Sequence, residues 1–388
     1  MISYGKQTIS ESDLKAVADA LTSDFLTQGP KSKTFEQDLC HKFGANYCSV
    51  LANGTGGLHL IALALGWGKG DIIITTPITF LASANCAIYA GATPDFCDID
   101  SVSYTIDLNK LEEKIKQYKT SGKKIKAVVA VDFAGHPCNW EELRIMANEY
   151  DFQLVNDFCH ALGAEYKGDL TYASKYADAV NLSFHPVKHI TTGEGGAVLT
   201  NDPAIDQKIK SLRTHGMIRE EQLLEEPTHG PWYYEMQEVG FNYRITDFQC
   251  ALGISQLKKL DEFLVLRRAI AQLYDDAFHH DERFIIPFVH PDTKHAYHLY
   301  PLQILFDKTG FSKKDFFNDF RQKGIFFQVH YIPVHLQPYY RKNYGFKNGD
   351  FPVSEQFYSR EVSIPIYPLL KIEEAKYVVA EIKEYLTK

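Results

Sequence analysis

Paired cysteines are missing. The seven cysteines (Cys40, Cys48, Cys86, Cys97, Cys138, Cys159 and Cys250) contain no C-x-x-C pair, and their number is odd. This excludes a disulfide framework and reads as reduced, mostly core thiols of a cytoplasmic protein. Positive charge is in deficit: 41 Lys+Arg stand against 49 Asp+Glu, a net −8. That balance excludes a general nucleic-acid or anionic-membrane binder but leaves room for a local basic pocket. The opening MISYGKQTISESDLK has no apolar core, so no signal peptide is expected. Repeats, low-complexity tracts and long linkers are absent. No metal is expected either. His290, His295, His298, His330 and His335 match no compact zinc spacing, and no cysteine pairs with them.

Membrane-length apolar runs are lacking too, with one stretch to weigh. Residues 72–94 carry no charge and are long enough to span a bilayer. Pro77, Ser83, Asn85, Gly91 and several threonines interrupt them, so they read as a buried strand (72–76), a turn and a packed helix (79–90).

What is present is an ordinary globular composition, 45% hydrophobic and 23% charged over 388 residues. The length predicts two domains; they are expected at 1–250 and 251–388, and the extreme N-terminus is expected to pack on the smaller one. Ser10-Glu-Ser-Asp13 reads as a capping box opening a helix, and residues 32–43 as a second helix. From residue 47 strand and helix alternate: 47–52, 58–65, 72–76, 79–90, 94–98, 108–118, 127–131, 140–150 and 152–155. The fold class is therefore α/β, a mostly parallel sheet covered by helices on both faces, followed by a smaller α+β domain. Ligands of such sheets bind outside the carboxyl ends of the strands.

Several chemistry-bearing residues fall at those ends. Asn53-Gly-Thr-Gly-Gly57 runs from a strand into a helix, which is either a phosphate cradle or a plain turn. Phe80 is either core or a ring stacked on a ligand. Asp157 is either an N-cap for a short helix at His160 or an anion that holds a cofactor ring nitrogen protonated. Lys188 follows a strand (179–184) that Pro186 ends, and three glycines (193, 195, 196) come after it. In so tight and apolar a turn, a lysine is either a solvated bystander or an amine nucleophile of lowered pKa.

The ordered set NGT (53–55), TPITF (76–80), NDFCHALGA (156–164), SFHPVKHITTGEGGAV (183–198), RTHGM (213–217) and GFNYRITDFQCALGISQLKKLD (240–261) resembles the DegT/DnrJ/EryC1/StrS sugar aminotransferases, which are fold-type I pyridoxal 5'-phosphate enzymes. The resemblance implies that Lys188 is the Schiff-base lysine and Asp157 the partner of the pyridine nitrogen. Gly54, Thr55 and Ser183 would hold the phosphate, Phe80 would stack on the ring, and His160 and His185 would lie beside it. His160 is equally well read as a structural histidine. Asn242 would reach the cofactor of a neighbouring subunit in a homodimer with shared sites. Thr27, Arg213, Trp232, Tyr233, His298, His330 and Tyr331 would meet the substrate, with His298 and His330 at the rim; Arg219 and Arg244 are candidates beside Arg213 for the diphosphate, and each of the three is also read as a surface ion pair.

Within the family, GPWYYEMQ (230–237), HLYP (298–301) and QVHYIP (328–333) resemble the altrosamine-type members. These imply transfer from L-glutamate to C4 of a UDP-linked 4-keto-6-deoxy-2-acetamido sugar, UDP-2-acetamido-2,6-dideoxy-β-L-arabino-hexos-4-ulose. His189 departs from the pattern, standing where proline commonly follows the lysine.

Overall fold

The computed structural model describes residues 1–387. Seven strands form the central sheet: β1 (Tyr47–Leu51), β2 (Ile72–Thr75), β3 (Thr93–Phe96), β4 (Ile125–Val131), β5 (Gln153–Asp157), β6 (Ala179–Ser183) and β7 (Gly196–Thr200). Their order is β1-β7-β6-β5-β4-β2-β3. The pairs from β3 across to β6 are parallel; β7 runs antiparallel to both β6 and β1. Runs such as IIIT and AVVAV are buried, as strands covered on both faces must be. The charge-free stretch resolves into β2 and a helix, Leu81–Tyr89. Among the described residues no helix is long and apolar enough to cross a membrane.

Helices α1 (Glu11–Leu21) and α2 (Pro30–Phe43) precede the sheet, and α1 opens on the expected Ser10 capping box. The sequence reading of 53–57 as a loop needs correction. Helix α3 (Gly54–Ala64) begins at Gly54, because the Asn53 side chain accepts the Gly56 N–H at 2.7 Å and caps it there. The short helix expected at His160 does not form; residues 158–163 make turns, so Asp157 caps no helix.

After α4 (Asp247–Leu257) and α5 (Leu260–Phe278) comes an antiparallel three-stranded sheet in the order β8 (Phe284–Ile285), β9 (Tyr300–Ile304), β10 (Glu361–Ile364). It packs with α5 and the last helix, Ile372–Tyr385, around a second apolar cluster that includes Ile2, Tyr274, Leu302, Phe316 and Val378. The N-terminal strand Ile2–Ser3 pairs parallel with Ile325–Phe326, which carries Tyr4 towards the cleft between the two cores.

Candidate active site

The turn from β6 to β7 is pinned at both ends by the ladder, Ser183 opposite Gly196, and closed by Phe184 N–H to Gly195 O at 2.8 Å and Thr192 N–H to Phe184 O at 3.0 Å. Lys188 stands inside this closed loop, half-buried. Burial lowers its pKa from the ordinary lysine range, while Cys159 and Asp157 act in the opposite sense. His189 does hold the loop. Its Nε2–H donates to Ala296 O at 3.0 Å, tying the loop to the segment that leads into β9. Proline has no group for this bond.

Asp157, the last residue of β5, is buried. One oxygen accepts Ser83 Oγ–H at 2.6 Å, and Ser83 Oγ in turn accepts from Thr79 Oγ1 at 2.8 Å. The other accepts the Cys159 N–H at 3.3 Å. Thr79 precedes the helix Leu81–Tyr89 and Ser83 lies in its first turn, a support that no periodic pattern in the sequence marks. His160 Nδ1 accepts the Ala134 N–H at 3.3 Å, so its ring proton lies on Nε2 and donates to Tyr331 Oη at 3.0 Å. Burial pushes the pKa of His160 well below the usual range and keeps the ring neutral. The Tyr331 O–H proton is then available to a ligand.

One cavity of about 930 Å³ gathers Gly54, Thr55, Phe80, Asp157, His160, Ser183, His185 and Lys188, together with His298, His330 and Tyr331. Phe80 is 54% exposed, so it is not core. His298 and His330 are buried in the cavity wall rather than set at a rim. Tyr4 and Asn181 also line it, and neither was singled out in the sequence. A larger depression lies at the opposite ends of the strands. It is shallow, and its charges are matched among themselves, as in Arg144–Asp178 and Lys124–Asp151.

The remaining expected residues are not brought to this chain's own cavity. Arg213 fits the ion-pair alternative: its guanidinium donates to Glu36 Oε1 and Val50 O, both at 2.7 Å, and ties α2 to β1. Trp232 is 72% exposed, and Tyr233 bonds Glu235 and stacks on His229 in the same outlying segment. Thr27 and Asn242 are exposed and bridge Thr246 and Thr214.

The cavity's residues fit pyridoxal phosphate. The N–H groups of Gly54 and Thr55 at the start of α3 have no intrahelical partner, and they open beside the hydroxyls of Thr55 and Ser183, a set of donors suited to a phosphate. The approach is close enough that a Cβ on Gly54 would meet Ser183 Cβ at 3.0 Å. An amine, a buried carboxylate and an exposed phenyl face complete the set.

A model of the DegT/DnrJ/EryC1/StrS aminotransferase family matches residues 7–383. A UDP-4-amino-4,6-dideoxy-N-acetyl-beta-L-altrosamine transaminase of Campylobacter jejuni is 39% identical over 381 residues, covering 97% of this chain and 96% of the relative. Helicobacter pylori PseC, an aminotransferase involved in the biosynthesis of pseudoaminic acid, matches with a TM-score of 0.89 at 31% identity over 100% of this chain and 99% of that one. A putative sugar aminotransferase from Streptococcus pneumoniae, in its PLP-form, matches with a TM-score of 0.87 at 27% identity over 100% and 98% of the two chains.

Proposed function

The chain belongs to the DegT/DnrJ/EryC1/StrS aminotransferase family, as a pyridoxal-phosphate-dependent enzyme acting on nucleotide sugars, and within it we propose that it moves an amino group from L-glutamate to C4 of UDP-2-acetamido-2,6-dideoxy-β-L-arabino-hexos-4-ulose. The product is UDP-4-amino-4,6-dideoxy-N-acetyl-β-L-altrosamine, a precursor of pseudaminic acid. The observation that carries the chemistry is the meeting of Lys188, Asp157 and the α3 cradle in one cavity. The sugar assignment is supported by the altrosamine-type segments and by the Campylobacter and Helicobacter relatives.

In this reading Gly54, Thr55 and Ser183 hold the cofactor phosphate, Phe80 covers one ring face, and Asp157 faces the pyridine nitrogen. Pyridoxal phosphate, when bound, supplies a carbonyl for the donor's amine and a ring that takes up carbanion charge. Lys188 Nζ takes and returns a proton, a task its burial suits because the neutral amine is more accessible than in a solvated lysine. Ser83 donates to the Asp157 carboxylate and keeps it aimed. Asn242, Thr27 and Trp232 are exposed here and Tyr233 half-buried beside them, all outside this chain's own cavity, which supports a homodimer in which they complete the partner's site. The domain division near residue 250 belongs to the same proposal.

The test is incubation with L-glutamate and a panel of UDP-linked 4-keto sugars, with products identified by NMR. Preference for the D-xylo 4-keto isomer over the L-arabino sugar in kcat/KM would remove the pseudaminic acid assignment and leave the aminotransferase standing.

A further inference from the structure

Behind the cavity wall lies a polar row that the roles above leave unused. β10 is buried throughout, yet it carries Glu361 and Ser363 two residues apart. Strand alternation turns both side chains to one face. Across from them runs the segment 328–330: Ser363 N–H donates to Gln328 O at 2.8 Å in an antiparallel bridge. His330 therefore meets both residues. Its backbone N–H donates to Glu361 Oε2 at 3.0 Å, its Nδ1 lies 2.8 Å from Ser363 Oγ, and Ser363 Oγ lies 2.5 Å from Glu361 Oε1. With Nδ1 engaged, Nε2 is the ring nitrogen left for the cavity that His330 lines.

Proton positions follow from counting donors. An ionised Glu361 only accepts, so Ser363 gives it its one proton and accepts from Nδ1–H. Nε2 is then bare. A protonated Glu361 carries its proton on Oε1, because Oε2 already accepts the His330 N–H. It donates to Ser363, Ser363 donates to Nδ1, and Nε2 holds the ring proton. The imidazole is neutral in both states: burial and the charge of Lys188 hold its pKa down to about 3. Burial raises the Glu361 carboxyl and the Lys313 ammonium opposes it, which sets where the row turns over. The other titratable groups facing His330 are His160, Tyr4 and Tyr331.

We propose that His330, Ser363 and Glu361 form a proton relay between the active-site cavity and a buried carboxyl, with His330 as a catalytic residue and the other two setting its tautomer. The proposal rests on the aminotransferase reading for its substrate. Exchanging a ketone oxygen for an amine releases water, and the opposite half-reaction consumes it. On release, Nε2–H gives its proton to the departing oxygen as the C–O bond breaks with its electron pair on oxygen. Nδ1 takes the Ser363 proton, Ser363 takes the Glu361 proton, and a carboxylate remains. When water adds, its oxygen bonds to carbon, its proton goes to Nε2, and the same three bonds shift back. One proton leaves the row and one returns per cycle.

Glu361→Gln decides the matter. Its amide oxygen must face the His330 N–H, so its NH2 faces Ser363 and locks the Nε2–H tautomer. Enzyme labelled with 15N-histidine reports the tautomer through long-range proton couplings, with the His330 signal assigned by its loss in His330→Gln. Wild type is expected to carry Nδ1–H at alkaline pH and to convert as pH falls; Glu361→Gln is expected to carry Nε2–H throughout. Its kcat/KM should fall about 100-fold and lose the acidic limb of the wild-type profile. Ser363→Ala breaks the link while keeping the Glu361 hold on the backbone. It should lose the same limb and show a tautomer that no longer changes with pH, and it carries the test if Glu361→Gln does not fold. A pH-independent tautomer in wild type, or an unchanged pH profile in Ser363→Ala, overturns the relay. The NMR reading needs no sugar, so an enzyme that aminates none of the panel yet converts its tautomer loses the substrate assignment and keeps the relay.

Discussion

Lys188 shows how one residue trades stability for chemistry. Its pKa is lowered by burial, so the folded state disfavours the charged amine. The sign follows: the unfolded chain binds more protons, so this penalty is full below the folded pKa and fades as pH rises towards the ordinary lysine value. Cofactor-free Lys188→Met should therefore melt higher than cofactor-free wild type at neutral pH, with the gap narrowing in alkali, and should fail to retain cofactor under borohydride; peptide mapping that places the label on another lysine sinks the assignment. Asp157→Asn keeps the shape of its carboxylate but not the charge, and should bind cofactor while losing about three orders of magnitude in kcat. Near-normal turnover there would reduce Asp157 to a structural acceptor of the Ser83 bond. Arg213 makes the converse case. Its bonds to Glu36 and Val50 O predict that Arg213→Ala lowers stability by about 2 kcal/mol, read as a drop in Tm, with KM for the sugar nearly unchanged. From sequence the three looked alike, polar residues in family-like motifs. What separated Arg213 was a partner 177 positions away, which no local pattern reveals.

At the scale of elements, the alternation of apolar runs and amphipathic stretches made the sheet and its helices legible, because strands buried on both faces have little freedom of composition. Strand ends were legible for the same reason, and so were Gly54, Asp157, Ser183 and Lys188, each placed by a strand that stops. The wall supplied by the second core was harder to read. His298 and His330 were expected at a rim, yet both are buried, because the segments after α5 close over the cavity. Their place depends on how two cores meet, and periodicity carries no signal for that. Residues 197–200 read as a strand, but the antiparallel direction of β7 was not legible, and it matters: it turns the lysine loop back so that Gly196 touches the start of α3. A Cβ at Gly196 would fall 2.5 Å from Asn53 C and 2.6 Å from Gly54 N, both backbone. Gly196→Ala should therefore push the α3 N-terminus away from the sheet, costing about 1–3 kcal/mol of stability and weakening cofactor retention more than it weakens UDP binding. Equal loss of both ligands would mean that the strand, and not the cradle, is what the methyl disturbs.

For the whole molecule, the question is which residues one chain cannot use by itself. Asn242, Thr27, Trp232 and Tyr233 carry polar or aromatic groups of the kind that hold phosphates and sugars, yet none reaches the cavity of its own chain. Their place outside it has a simple account if they lie against a second copy, with Asn242 reaching the cofactor held by the partner's Lys188. Complementation tests this directly. A Lys188→Ala subunit lacks the amine of its own cavity but presents an intact Asn242 surface. An Asn242→Ala subunit keeps its amine but lacks the group it lends. Mixed in one dimer, the two place an intact Lys188 opposite an intact Asn242 at one site, and both lesions at the other. Each homodimer should be nearly inactive, and random exchange makes about half of all dimers mixed, each with one working site in two. Activity should thus recover to about a quarter of wild type per subunit, since half the dimers carry half their sites. Native mass spectrometry of subunits with different tags verifies the exchange. No recovery after verified exchange would place Asn242 in its own chain's service and remove the shared site.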